Sequence, residues 1–238
     1  MSITQAEIKQ IRSLSEKKFR DATGLFVVEG EKLVQEALDS GFKVVRVLRR
    51  EEIGDAVMAR ISQLSSPSPV LAVVARPEPA ADEPVRGLCL ALDGIRDPGN
   101  MGTIIRIADW FGVETVYASA DCVELFNPKV IQASMGSVFR VRLVTADIAS
   151  LARRFREAGM RVYGTFLDGN DLYQEALQPE GLVVMGNEAN GISKETAACV
   201  SDRLYIPPFP ADDPGSESLN AAVATAVTVA EFRRQGSY

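Results

Sequence analysis

The chain of 238 residues contains no histidine. Ser-His-Asp triads, Cys-His dyads and His-ligated metal centres are thereby excluded, because each needs an imidazole. Cysteine is nearly as scarce. Cys89, Cys122 and Cys199 are odd in number and widely separated, which matches neither a disulfide framework nor a zinc site and fits a reducing compartment. Long apolar runs are also missing. The longest, from Ala221 to Ala230, is interrupted by threonines and falls short of the roughly 17–25 residues that span a bilayer. The opening residues MSITQAEIKQ lack the apolar stretch of a secretory signal, so a cytoplasmic protein is expected. No GxGxxG is present, which counts against dinucleotide binding.

What is present suits a globular protein: 46% hydrophobic and 24% charged residues exclude wholesale disorder. The net charge of −6 is unevenly spread. Residues 1–50 hold ten Lys/Arg against seven Asp/Glu, leaving the remainder at −9. A cationic N-terminal part on an acidic body is compatible with RNA contacts at one end, and equally with a solvated helix face. The proline-rich, charged segment RPEPAADEPVRG (76–87) reads as a linker, which predicts domains at 1–80 and 87–238.

Before the linker the pattern predicts a helix over Ile3 to Leu14, strands at 25–28, 43–48 and 69–75, and helices at 29–41 and near 51–63. After it, strands are expected at 88–94, 115–119, 138–144, 160–167 and 181–186. Helices are expected near 100–112, 128–135, 147–158 and 216–234. Near-continuous apolar strands alternating with helices argue for an α/β fold with a parallel sheet. In the last helix the stripe Leu219, Val223, Ala226, Val227 and Ala230 is expected to pack.

Three segments are candidates for chemistry. In RDPGNMGTIIRIADWFG (96–112), Met101, Ile104, Ile105, Ala108 and Phe111 form a buried stripe, and Arg106 falls off it beside Thr103 and Asp109. That arginine is either solvated, paired with Asp109, or aimed at a phosphate at the carboxyl ends of the strands. VVMGNEANGIS (183–193) imitates the glycine spacing of a P-loop but carries Ile192 at the lysine position, which excludes a nucleotide triphosphatase. Glu188 there is either a functional acid or a helix-terminal one. In YIPPFPADDPGSESLNAAVATAV (205–227) a helix is expected to begin around Ser216 to Ser218, either serine being a candidate N-cap, with Ser218, Leu219 and Asn220 in its first turn.

In this order the three segments resemble the motifs of the SpoU-type (TrmH-like) 2′-O-ribose RNA methyltransferases of the SPOUT superfamily. GLFVVEGEKLVQEAL (24–38), preceded by KKFRDAT, resembles their N-terminal substrate-binding domain, and NPKVIQASMGSVFRV (127–141) their segment between motifs one and two. The resemblance implies a parallel-sheet α/β methyltransferase domain with a C-terminal trefoil knot, plus a small N-terminal α/β RNA-binding domain. It further implies S-adenosyl-L-methionine as cofactor, a homodimer with active sites at the subunit interface, and no need for a metal. Asn100, Arg106, Glu188, Ser218 and Asn220 are the implied catalytic set, with Asn100 and Glu188 holding Arg106. Thr165, Gly186, Ile206 and Leu219 are implied to touch the cofactor, and Lys17, Lys18, Arg20 and Arg106 the RNA. The expected substrate is ribosomal RNA, the alternatives being transfer RNA or a non-catalytic RNA-binding assembly factor on the same scaffold. PPFPADDPGSESL (207–219) is about four residues longer than the usual family loop and more acidic, so it either reshapes RNA choice or is a surface excursion.

Overall fold

A computed structural model describes residues 3–77, 86–210 and 218–236. They form two compact units. One takes the described part of Met1–Ala80 together with Glu124–Arg140; the other takes the described parts of Ala81–Val123 and Val141–Tyr238. The grouping therefore differs from a single cut at the linker, most of which lies outside the described residues.

In the first unit, α1 (Gln5–Ser13) starts at a capping box. Thr4 Oγ1 accepts from Glu7 N at 3.2 Å, and the Glu7 carboxylate accepts from Thr4 N at 2.8 Å. A second helix, α2 (Lys17–Thr23), was not expected from the sequence pattern. β1 (Leu25–Glu29) leads into α3 (Glu31–Asp39), which buries Leu33, Val34 and Ala37. β2 (Val44–Arg49) is followed by α4 (Arg50–Ile53) and α5 (Asp55–Ile61). The single helix expected near 51–63 is broken by Gly54, whose φ of 82° no right-handed helix accommodates. β3 (Val70–Ala75) lies between β1 and β2, antiparallel to both.

The second unit opens with β4 (Leu88–Asp93), α6 (Pro98–Trp110) and β5 (Thr115–Ala118). The chain then contributes Glu124–Arg140 to the first unit. There α7 (Pro128–Ser134) and a 3-10 turn at Ser137–Phe139 complete an aromatic core. The Phe126 ring lies 4.9 Å from that of Phe26, and the Phe139 ring meets Phe42 edge-on at 5.1 Å. Gln132 Nε2 donates to the Glu29 carbonyl at 3.0 Å. The strand expected at 138–144 is divided as a result: only β6 (Arg142–Thr145) is extended.

The second unit is completed by α8 (Ile148–Glu157), β7 (Val162–Asp171), β8 (Gly181–Gly186), α9 (Lys194–Ala197), β9 (Asp202–Tyr205) and α10 (Ala221–Gln235). Its sheet has the order β6-β5-β4-β8-β7-β9, with every pair parallel. All six residues of β4 are buried, as expected for a sheet covered on both faces. On one face Leu151, Ala152 and Phe155 of α8 pack with Ala91 and Val184. α10 buries Ala222, Thr225, Val229 and Phe232, the last meeting Tyr163 edge-on at 4.8 Å. This corrects the expected stripe: Leu219 is 46% exposed and Val223 50%. The helix also starts later than expected, because Asn220, not Ser218, is its N-cap; Ser216 lies outside the described residues. No helix among the described residues is long and apolar enough to cross a membrane.

Candidate active site

The site is assembled by the segments that follow β4, β8 and β9, at the carboxyl ends of the strands, where parallel α/β sheets place ligands. After β4, Asp97 caps α6 by accepting from Asn100 N at 2.7 Å, with Pro98 in the first turn. This fixes Asn100 at the mouth of the sheet. After β8 the chain folds back on itself: Asn187 N donates to Gly191 O at 3.0 Å and Gly191 N to Asn187 O at 2.8 Å. The closure requires glycine at 186, since a Cβ there would sit 2.3 Å from the Gly191 carbonyl carbon. Asn187 Nδ2 ties the loop to Gly94 O at 2.7 Å, and buried Asp93 accepts from Ser193 N at 2.9 Å.

The three segments meet at one side chain. Asn100 Nδ2 donates to the Glu188 carboxylate, and Asn100 Oδ1 accepts from Asn220 Nδ2 at 2.9 Å. Asn220 Oδ1 in turn accepts from Ala222 N at 2.9 Å and Val223 N at 3.3 Å, so the residue that reaches Asn100 also begins α10. Each amide therefore has its orientation fixed at both ends. Glu188 is exposed at the loop tip, with its carboxylate aimed at α6.

Arg106 stands apart from this network. It lies on the exposed side of α6 and has no hydrogen-bond or ion-pair partner among the described residues, whereas the expectation had Asn100 and Glu188 holding it. Ser218 is exposed and likewise unpartnered among the described residues. The positions expected to touch a cofactor fall on or after three adjacent strands: Thr165 on β7, Gly186 ending β8, and Ile206 after β9; Leu219 precedes α10. Thr165 Oγ1 approaches Met185 Sδ at 3.9 Å. Beside them Arg203 stacks 3.5 Å above the Phe166 ring and pairs with Asp168, holding that carboxyl below its usual value. Residues 211–217 of the longer loop lie outside the described residues.

Burial disfavours two of the thiols as nucleophiles. Burial pushes Cys89 up to about 11, and burial likewise raises Cys122. Sequence reasoning passed over Asp93, Asp97 and Asn187, which hold the loops, Asp97 by accepting from Asn100 N. Asp97 had a legible signal, an N-cap residue directly before Pro-Gly-Asn.

In the first unit the three expected RNA contacts separate. Lys17 pairs with Asp21 at 2.6 Å and Lys18 with Glu16 at 3.0 Å, both at the surface. Arg20 is 1% exposed. Its guanidinium is held by Glu124 and by the carbonyls of Leu14 and Ser15 at 2.8 and 2.9 Å, so four of its five donors are used internally and its burial keeps it from RNA. Arg20 is a structural arginine, a correction to the sequence expectation.

Comparison with known proteins gives consistent matches over these segments. Residues 87–230 match the SpoU rRNA Methylase family, and residues 5–72 match the MRM3-like substrate binding domain. The 23S rRNA (guanosine(2553)-2′-O)-methyltransferase RlmP of Bacillus subtilis is 30% identical, covering 98% of each chain. A TrmH-family protein from Porphyromonas gingivalis is similar in structure, with a TM-score of 0.89 at 38% identity over 98% of this chain and 99% of the other. An AdoMet-bound rRNA methyltransferase from Sinorhizobium meliloti gives a TM-score of 0.88 at 31% identity over 98% and 97%.

Proposed function

This chain belongs to the SpoU rRNA Methylase family, and from that premise we propose that it transfers a methyl group from S-adenosyl-L-methionine to a ribose 2′-hydroxyl of ribosomal RNA. The observation that carries the reading is the Glu188–Asn100–Asn220 network, in which three segments far apart in sequence supply one hydrogen-bonded centre.

The residues fit such a cofactor. The carboxyl ends of β7, β8 and β9 lie side by side, with half-buried Thr165 and Ile206 beside a glycine loop that admits no side chain at 186. When bound, S-adenosyl-L-methionine supplies an electrophilic methyl on a sulfonium. The chain's own groups have to orient a weak nucleophile and stabilise the charge it develops as its proton leaves. A guanidinium is a fixed cation and a poor base, so the role of Arg106 is a cationic clamp on the neighbouring phosphate and the developing alkoxide, worth about 2–4 kcal/mol by analogy with oxyanion-hole donors. Its lack of an internal partner leaves it available for RNA. Ser218 and Asn220, neither of which touches Arg106 in the free chain, orient that clamp once RNA is bound, and the Glu188–Asn100 bond fixes the loop against α6.

Residues 1–80 serve RNA binding, with Lys17 and Lys18 at the surface, and residues 87–238 serve methyl transfer. The C-terminal loops form a trefoil knot, and the protein works as a homodimer in the cytoplasm. Apolar surface supports the dimer: Trp110 is 85% exposed on α6, and Val223 is open on α10, which packs against α6. The decisive experiment maps ribose methylation across total RNA with and without the gene. Loss of a 2′-O-methyl group in ribosomal RNA is expected; an unchanged map over several growth conditions overturns the reading.

A further inference from the structure

A cavity within the first unit is lined by none of the residues assigned to catalysis. It encloses about 440 Å³ between the end of β2, the start of α3 and the α4–α5 corner. Five charged side chains line it: Glu31, Arg49, Arg50, Glu51 and Asp55; Pro69 and Val70 supply an apolar wall. Arg50 is anchored. It donates to the Pro67 carbonyl and lies 3.5 Å from Asp55. Glu31, Arg49 and Glu51 have no partner among the described residues. Elsewhere in this unit Lys17, Arg20, Arg46 and Arg76 are all in ion pairs.

Three carboxylates against two guanidiniums make a poor phosphate site, because the net charge repels an anion. The two guanidiniums equally disfavour a metal cation. The ligand that suits such a lining is neutral, flat and dense in both donors and acceptors, which describes a nucleobase. Guanine alone among the RNA bases offers adjacent donors, N1–H and the 2-amino group, to one carboxylate, and acceptors O6 and N7 to one guanidinium. Single-stranded RNA presents unstacked bases for such contacts, with apolar or guanidinium surfaces against the ring face.

We infer that this cavity is a guanine-reading pocket for the RNA substrate, with Glu51 or Glu31 accepting from N1–H and the 2-amino group and Arg49 donating to O6 and N7. The inference rests on the reading of the protein as an RNA enzyme and extends it to a specificity site outside the catalytic unit.

The test measures binding of the full-length protein, at fixed low salt, to oligoriboadenylate heptamers carrying guanosine, inosine or adenosine at the centre. Inosine differs from guanosine only by the missing 2-amino group. The guanosine heptamer is expected to bind about tenfold more tightly than the other two, the discrimination of one bidentate base contact. Glu51→Gln combined with Glu31→Gln is expected to erase that preference, with unchanged affinity for S-adenosyl-L-methionine and an unchanged unfolding midpoint as evidence of an intact fold. Equal binding of the three heptamers, no binding of any, or a preference that survives the double substitution overturns the pocket. Methyl transfer to ribosomal RNA by the same wild-type preparation separates the two readings. Activity without base preference removes only the pocket; base preference without activity removes only the enzyme.

Discussion

At the scale of single residues, Asn100 is the joint of the site: one amide group binds a carboxylate from the loop after β8 and an asparagine at the start of α10. Arg106, two turns further along α6, touches neither. Its consequence is specific to turnover. Arg106→Ala is expected to lower methyl transfer about 10²–10³-fold, as loss of an oxyanion-hole donor does, while affinity for S-adenosyl-L-methionine stays within about twofold. Single-turnover rates beside calorimetric cofactor binding check this, and a mutant with normal turnover removes Arg106 from the chemistry. The residues of the network were legible in the sequence as types in an order. Their bonding was not, because Asn100, Glu188 and Asn220 are separated by 88 and 120 positions from their partners. Arg20 shows the same limit. A cation beside Lys17 and Lys18 looks like part of one basic face, and only its partner Glu124, 104 positions away, reveals a buried ion pair.

At the scale of elements, β4, α6, β5, α7 and β8 could be read from apolar runs and capping residues because their signals are local. The start of α10 could not. SESLN offers two serines and an asparagine as caps, and the choice is made by the bond from Asn220 to Asn100, which lies outside the segment. The apolar stripe on α10 misled for a related reason: its small buried residues, Ala222 and Thr225, carry less hydrophobic signal than the exposed Val223. Asn220 has two separable duties, and two substitutions distinguish them. Asn220→Ala is expected to cost about 1 kcal/mol of stability through the lost cap and to depress methyl transfer. Asn220→Asp keeps the capping oxygen but replaces the amide donor, so stability should be retained while methyl transfer still falls. Urea unfolding with single-turnover rates measures both; equal effects of the two substitutions on stability refute the separation.

At the scale of the whole molecule, the prolines and charges of 76–87 predict a single boundary, most of which lies outside the described residues, and the partition of the core was not legible. Phe139 reads as part of the segment between two methyltransferase motifs, yet it packs on Phe42 as Phe126 does on Phe26, and Glu124 neutralises buried Arg20. A fragment ending at residue 80 is therefore expected to lack cooperative unfolding and to bind a hydrophobic dye, since it exposes the aromatic face and leaves Arg20 without its carboxylate. A fragment with a sharp unfolding transition and no dye binding contradicts this. The same division has a consequence in time. The first unit's last structural pieces are made only when Arg140 has been added, sixty residues after Ala80. At about 5–20 residues per second, an unfinished hydrophobic face waits roughly 3–12 s on the translating ribosome. The part that begins the chain is still the first to be completed, but only after the second unit has been started, and a nascent-chain chaperone has its natural binding window in that interval.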